Sequence, residues 1–342
     1  MKTYKRLWDN FISRENFELA ARKAVRSKKS RKSVQKFLAN RAEMLEKLRR
    51  DVMMGRYKTS PYKTFIIREP KERVIYNLPL YPDHILHHAL INILGPIWQK
   101  SFIADTYACI PGRGLHAASQ RTMEFVRRNK YVLQCDIRKF YPSINHEIMM
   151  NIVSEKIHDR RILRLLRDVV WSVGGQTNLP IGNLTSQWMG NVYLGKLDVF
   201  IKQHLHWRDY IRYCDDFCLY GNSKSELWRA KHEIEQFLGE NLNMTLSKSN
   251  LRHVAAGVSF IGYRHFRKFK KLRRWTALKI KRRLMNIIYH NDFSDLAIGQ
   301  LAAAYGWTKW ACSYNYRSRI VLYAYKISCK MGFWMKNTLL PV

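Results

Sequence analysis

The sequence predicts an α+β chain in which a sheet domain is flanked by helical segments. Three observations carry this prediction. Residues 7–54 have helical periodicity with charged faces. Between residues 62 and 265, short β-rich runs alternate with helical ones. From residue 266 to 342 the chain is basic, aromatic and helical in pattern.

The elements follow in order. Residues 27–33 lack apolar side chains and should link two of the first helices. Phe65-Ile66-Ile67 and Val74-Ile75-Tyr76 flank the charged turn Glu69-Pro70-Lys71-Glu72-Arg73, the pattern of a hairpin with a basic tip. Residues 84–100 read as a largely buried helix. Tyr131, Leu133 and Cys135 alternate with Val132, Gln134 and Asp136, so a strand ending in a carboxylate is expected. A helix should begin near His146, and another should lie within 182–202, carrying Val192, Leu194, Leu197 and Phe200. Residues 210–220 place two β-rich runs around Asp215-Asp216, a tight hairpin. An amphipathic helix over 225–240 and one strand over 257–265 complete the sheet domain.

The charge balance narrows the function. There are 61 Lys and Arg against 26 Asp and Glu, a formal net charge of +35. A compact chain with that excess repels itself unless a polyanion neutralises it, and nucleic acid is the usual polyanion. The basic residues are spread along the whole chain, without a lipidation motif or a single amphipathic anchor, which argues against a membrane-surface protein. No apolar run follows Lys2, Lys5 and Arg6, and no stretch approaches a membrane span, so a cytoplasmic location is expected. The six cysteines (Cys109, Cys135, Cys214, Cys218, Cys312, Cys329) form no C-x-x-C pair and read as reduced, mostly buried thiols.

Asp136 and the pair Asp215-Asp216 carry the chemistry. Taken singly, Asp-Asp is ordinary turn chemistry and Asp136 a helix cap. Together, one strand ending in a carboxylate and one turning at a pair can aim acids at a single point. Phosphoryl transfer needs such a point, because it uses two divalent ions about 3.5–4 Å apart. Mg²⁺ prefers hard oxygen ligands of this kind.

Further segments accompany these acids in a fixed order. They are Lys71-Glu72-Arg73, Tyr107–Gly114 (YACIPGRG), Gln134–Tyr141 (QCDIRKFY), Leu179–Gln187 (LPIGNLTSQ), Tyr213-Cys214-Asp215-Asp216, Leu246-Ser247-Lys248 and Phe260-Ile261-Gly262-Tyr263. The ordered set resembles the motifs of reverse transcriptases across residues 5–265. The resemblance implies a right-hand polymerase fold. Fingers would occupy residues 1–130 and continue in part past the first palm motif. An antiparallel palm with helices would fill 131–265, and a basic helical thumb 266–342.

It also implies an RNA-directed DNA polymerase that takes dNTPs and two Mg²⁺ ions, with Mn²⁺ as an alternative. Asp136 and Asp215 would ligate both metals with the Ile137 carbonyl, and Asp216 would support the second. Lys71 and Arg73 would neutralise the triphosphate, Arg in a bidentate manner. Tyr141 or its neighbour Phe140 would be the flat ring that excludes a 2′-hydroxyl; the sequence leaves that choice open. Ile181, Gly182 and Gln187 would line the nucleotide pocket. Lys248 would protonate departing pyrophosphate. Tyr213, Gly262 and Tyr263 would contact the primer.

One departure narrows the resemblance. Most reverse transcriptases read Pro-Gln-Gly where this chain has Pro180-Ile181-Gly182, followed by Thr185-Ser186-Gln187. This form is similar to reverse transcriptases of diversity-generating retroelements, as are Trp8–Asn16 (WDNFISREN) and Glu69-Pro70-Lys71-x-Arg73. That similarity implies a bacterial or phage-encoded enzyme. It would copy a template-repeat RNA into cDNA with errors opposite adenine, beside a small, basic, barrel-forming accessory protein that is oligomeric. Ile181 and Arg73 would together loosen selectivity at template adenine; the alternative is that Ile181 is a neutral packing exchange.

Past the sheet domain, Arg267, Lys268, Lys270, Lys271, Arg273 and Arg274 are interleaved with Phe266, Phe269 and Trp275. Such residues can meet backbone phosphates and stack on unpaired bases, whereas Trp275 and Trp307 read as packing residues. No maturase extension follows, which turns the expectation away from a self-mobile intron enzyme. Two other readings stay open: another bacterial reverse transcriptase, of the phage-defence or abortive-infection type, and a non-catalytic RNA-binding scaffold.

Overall fold

The computed structural model describes residues 2–68, 71–292, 294–320 and 322. Among these residues nine strands form three sheets. β1 (Lys63–Ile67) and β2 (Arg73–Asn77) pair antiparallel, with Ile67 opposite Arg73. The expected hairpin is therefore present, although its tip residues Glu69 and Pro70 lie outside the described residues. Four strands, β3 (Tyr131–Ile137), β4 (Tyr210–Tyr213), β5 (Asp216–Gly221) and β6 (Leu246–His253), form a sheet of order β4-β5-β3-β6. The third sheet joins β7 (Val258–Phe260), β8 (Tyr263–His265) and β9 (Lys270–Leu272) antiparallel.

The chain divides into two compact units. The first comprises Met1–Gly112, Cys135–Phe217 and Trp228–Ser249. Its helices over the first 54 residues include Arg14–Val25 and Lys32–Ala39, so the expected link is present but stops at Arg31, with Lys32 and Ser33 already helical. The helix Arg14–Val25 starts where the Ser13 side chain accepts the Asn16 N–H, and it buries Phe17, Ala20, Ala21 and Ala24 at helical spacing. It packs against Ile85–Gln99, which also packs against Leu184–Val199. Asn16 Nδ2 donates to the Ala89 carbonyl at 3.1 Å and ties the first two of these together. Asp159 caps the helix Arg160–Val170 and also accepts the Leu7 and Trp8 N–H groups at 2.9 and 3.0 Å, which closes the N-terminal segment onto the unit.

The second unit comprises Arg113–Gln134, Cys218–Leu227 and Asn250–Val342. Ile280, Leu284 and Ile287 from the helix Arg274–Tyr289 meet Ala297, Leu301 and Ala304 from Asp295–Lys309 in one apolar cluster.

Several expectations are corrected here. Residues 257–265 form two strands, not one. Ile261 (φ 44°) and Gly262 (φ 84°) both adopt left-handed backbone and turn the chain in two residues. The region beyond 266 is not wholly helical, because β9 precedes its helices; residues 323–342 lie outside the described ones. Trp275 is 50% exposed rather than packed. Of the cysteines, Cys135 and Cys218 are buried, but Cys109 and Cys312 are exposed; Cys329 lies outside the described residues.

Candidate active site

The sheet order explains how the acids meet. β3 lies between β5 and β6, so Asp136 near the end of β3 has Asp216, the first residue of β5, on one side and Ser247 of β6 on the other. Asp215 sits in the turn that joins β4 to β5. That turn is tight because Cys214 takes a left-handed conformation at φ 58°.

Asp136 has a side chain 19% exposed, and its Oδ2 accepts hydrogen bonds from Ser247 Oγ at 2.6 Å and Lys71 Nζ at 3.3 Å. The three carboxyls feel one another. Asp215 is raised above its ordinary value chiefly by burial and then by the Asp136 charge, while Arg73 pulls it down. Asp216 is an exposed residue, yet its carboxyl loses hydration among its neighbours. That loss of hydration, then the charges of Asp215 and Asp136, push it up to about 7, and Lys71 opposes the push. Three hard carboxyls gathered around the end of β3 and the β4–β5 turn have the donor chemistry that suits a divalent cation such as Mg²⁺. Among the described residues no three His, Cys, Asp or Glu side chains stand as a closed metal cluster.

The residues expected at the nucleotide divide clearly. Lys71 and Arg73 on the hairpin act on Asp136 and Asp215, as just described. Phe140 is buried and packs against Gly190, where an added Cβ would come within 3.1 Å of its ring. Tyr141 faces the catalytic turn, its hydroxyl 3.7 Å from Cys214 Sγ, and burial beside Cys214 and Asp215 raises its pKa. The Tyr76 N–H donates to the Ile181 carbonyl at 2.8 Å. This close approach requires the glycine that follows: at Gly182 (φ 128°) a Cβ would lie 2.3 Å from the Tyr76 oxygen. Gln187 is exposed on the helix Leu184–Val199, and Tyr213 is half-buried at the end of β4. Ile137 is buried as the last residue of β3.

Other expected site residues are placed elsewhere. Lys248 is exposed, and as the neighbour of Ser247 on an extended strand its side chain leaves on the opposite face. The structure thus brings Ser247, not Lys248, to the carboxylates. Tyr263 is 0% exposed and donates its hydroxyl to the Trp307 carbonyl at 3.2 Å, so its ring packs within the second unit. Gly262 likewise faces the Trp307 ring, which an added Cβ would strike at 2.6 Å. In the same unit Lys270 is engaged, donating to Ser119 Oγ at 2.8 Å, and Arg267 donates to the Asn129 carbonyl at 3.2 Å. Lys268, Lys271, Arg273 and Arg274 are exposed.

The family model "Reverse transcriptase (RNA-dependent DNA polymerase)" matches residues 66–265, which include the end of β1, all of β2, Asp136, Asp215 and Asp216, and β3 to β8. The chain belongs to the reverse transcriptase family. Its fold is accordingly the right-hand polymerase fold, and enzymes of this family synthesise DNA on RNA from dNTPs with divalent metal ions. The chain is 24% identical to Protein YkfC of Escherichia coli (strain K12) over 279 residues, covering 67% of this chain and 73% of that protein. It is 21% identical to the group II intron-encoded protein LtrA of Lactococcus lactis subsp. cremoris over 171 residues, 47% of this chain and 28% of LtrA. The chain thus spans most of YkfC but under a third of the intron-encoded relative. A solved structure of telomerase from Candida albicans, with a fragment of telomeric RNA, aligns at a TM-score of 0.47 with 11% identity, over 84% of this chain and 56% of that one. Among the described residues no helix is long and apolar enough to cross a membrane.

Proposed function

We propose that this reverse transcriptase extends a DNA primer on an RNA template by two-ion phosphoryl transfer at Asp136, Asp215 and Asp216. One observation carries the reading: β3 lies between β5 and β6, so Asp136 near its end stands beside Asp216 at the start of β5, with Asp215 in the turn just before it. Two Mg²⁺ ions, or Mn²⁺ in their stead, held there with the Ile137 carbonyl would activate the primer 3′-hydroxyl and neutralise the leaving pyrophosphate. Lys71 holds Asp136 in the resting site and is placed to exchange that carboxylate for a triphosphate oxygen. Arg73 stands by as the second cation. Tyr141, rather than the buried Phe140, presents a ring edge beside the catalytic turn, where it would close the space a 2′-hydroxyl needs. In this reading residues 1–130 act as fingers, 131–265 as palm and 266–342 as thumb. The exposed cations Lys268, Lys271, Arg273 and Arg274 would meet backbone phosphates.

The finer reading is a retroelement enzyme that diversifies a target gene by adenine-directed errors, acting in the cytoplasm with a basic, barrel-forming, oligomeric accessory protein. Its support is the Pro180-Ile181-Gly182 motif and the way it is held. The Ile181 carbonyl, not its side chain, bonds to Tyr76, and Gly182 permits the approach. The side chain at 181 can therefore change while the backbone link stays. With a polar amide at 181 the pocket would gain a donor that an isoleucine lacks. The test is to sequence cDNA made on one defined RNA by wild type, Ile181→Gln and Ile181→Asn. Fewer errors opposite adenine in the variants are expected, and an unchanged spectrum rules the adenine reading out.

A further inference from the structure

Beside the turn that carries Asp215 lies a fully buried ion pair. Arg212 and Asp198 have side chains 0% and 1% exposed. Arg212 Nε and Nη2 donate to Asp198 Oδ1 and Oδ2 at 2.8 and 2.6 Å, a bidentate pair. Asp198 also accepts from Tyr210 OH at 2.7 Å and from Thr106 Oγ1 at 2.8 Å, so both of its oxygens are saturated. The third guanidinium nitrogen, Nη1, points away from this pair. It donates to Asn191 Oδ1 at 3.1 Å and to the backbone carbonyl of Cys214 at 3.0 Å. Asn191 is itself fixed, its Nδ2 donating to the Ala108 carbonyl at 2.7 Å.

The Cys214 carbonyl belongs to the peptide that leads into Asp215. Cys214 is a non-glycine residue in a left-handed conformation, which is unfavourable unless its surroundings hold it. A buried guanidinium anchored on two sides, with its remaining nitrogen on that carbonyl, fixes the plane of the peptide. The plane in turn sets the direction from which Asp215 leaves the backbone. Removing both charges for apolar side chains of equal volume would often cost a fold little. A simpler core could therefore serve stability alone. What an apolar core cannot do is hold a carbonyl from below.

We propose that Arg212, braced by Asp198 and Asn191, is a positioning residue that orients Asp215 for metal binding through the Cys214 peptide. The inference rests on the polymerase reading of the three carboxylates. Lysine at 212 would keep the charge against Asp198 but has no planar fork to serve three acceptors.

The test compares wild type with Arg212→Lys, Asn191→Ala and Thr106→Val, all assayed well below their melting temperatures. Thr106→Val removes a hydrogen bond from the same Asp198 without touching the turn. Each protein is measured for primer extension (kcat and KM for dNTP) and, separately and without substrate, for the rise in melting temperature with added Mn²⁺. The expected result for Arg212→Lys is kcat down by about tenfold or more with KM within about twofold, and a weakened Mn²⁺ response. Asn191→Ala should move both readouts the same way by less, and it carries the test if Arg212→Lys does not fold. Thr106→Val should melt earlier yet keep both kcat and the Mn²⁺ response. Activity that tracks melting temperature across all three variants, or an unchanged Mn²⁺ response in both Arg212→Lys and Asn191→Ala, overturns the proposal. A wild type that extends no primer overturns the polymerase reading beneath it, and is distinguished by that alone.

Discussion

Ser247 Oγ lies 2.6 Å from Asp136 Oδ2, closer than the Lys71 ammonium at 3.3 Å. The same hydroxyl is 3.1 Å from the Asp136 backbone carbonyl, so one serine on the neighbouring strand reaches both the carboxylate and the backbone of this residue. A hydroxyl can occupy one oxygen of a carboxylate while leaving the other open, which suits a group that must also receive a cation.

Ser247→Ala should therefore slow primer extension by about tenfold, through loss of one charge-assisted hydrogen bond. Its melting temperature should change little, since Ser247 itself is exposed. Steady-state kinetics with a melting scan check this. A variant as fast as wild type would show that Ser247 is a bystander.

The two adjacent rings should separate cleanly by substitution. Tyr141→Ala should let ribonucleotides compete with deoxynucleotides while the protein stays folded. Phe140→Ala should cost about 3–5 kcal/mol of stability, the loss typical of a buried ring. Incorporation ratios for ribo- and deoxynucleotides, alongside denaturant melts, decide between them. Ribonucleotide entry in Phe140→Leu but not in Tyr141→Ala would reverse the assignment.

Stability should fall on acidification because three histidines are held neutral. His87 is fully buried in Ile85–Gln99, and among the described residues neither ring nitrogen has a partner. Burial first, then the charges of His84 and His88, lower it to about 3. His88 and His265 are each lowered to about 4, again chiefly by burial. A depressed folded value means the unfolded chain binds the extra proton. The stability is complete above the ordinary histidine value of 6.5 and is lost as pH falls from there through about 4 and below. His87 alone should account for about 2 kcal/mol of that loss by pH 5. His87→Leu should accordingly raise the melting temperature more at pH 5 than at pH 8, and equal gains at both would contradict the account.

The parts of this site that a sequence displays are those whose chemistry is rare. Asp136, Asp215 and Asp216 stand out because acids are scarce in so basic a chain and because β-forming residues surround them. Ser247 was hidden, since a serine in a polar strand has no distinctive pattern and only the pairing of β6 with β3 brings it to Asp136. Arg212 was equally hidden: among 61 basic residues nothing in its neighbourhood marks it as buried. Tyr263 differs in the opposite direction: an aromatic next to glycine suits a nucleic-acid contact in sequence, whereas in the fold its ring is buried against Trp307. The turn at Ile261 escaped notice because isoleucine favours strands and seldom takes a left-handed backbone.

The most direct test of the central claim is primer extension by the purified chain on a defined RNA template with Mg²⁺, run beside Asp215→Asn. The account predicts template-directed DNA synthesis by wild type and a loss of about a thousandfold or more in the variant, which should remain folded. Synthesis by Asp215→Asn at the wild-type rate would show that the carboxylates gathered on β3 and the β4–β5 turn do not perform the reaction.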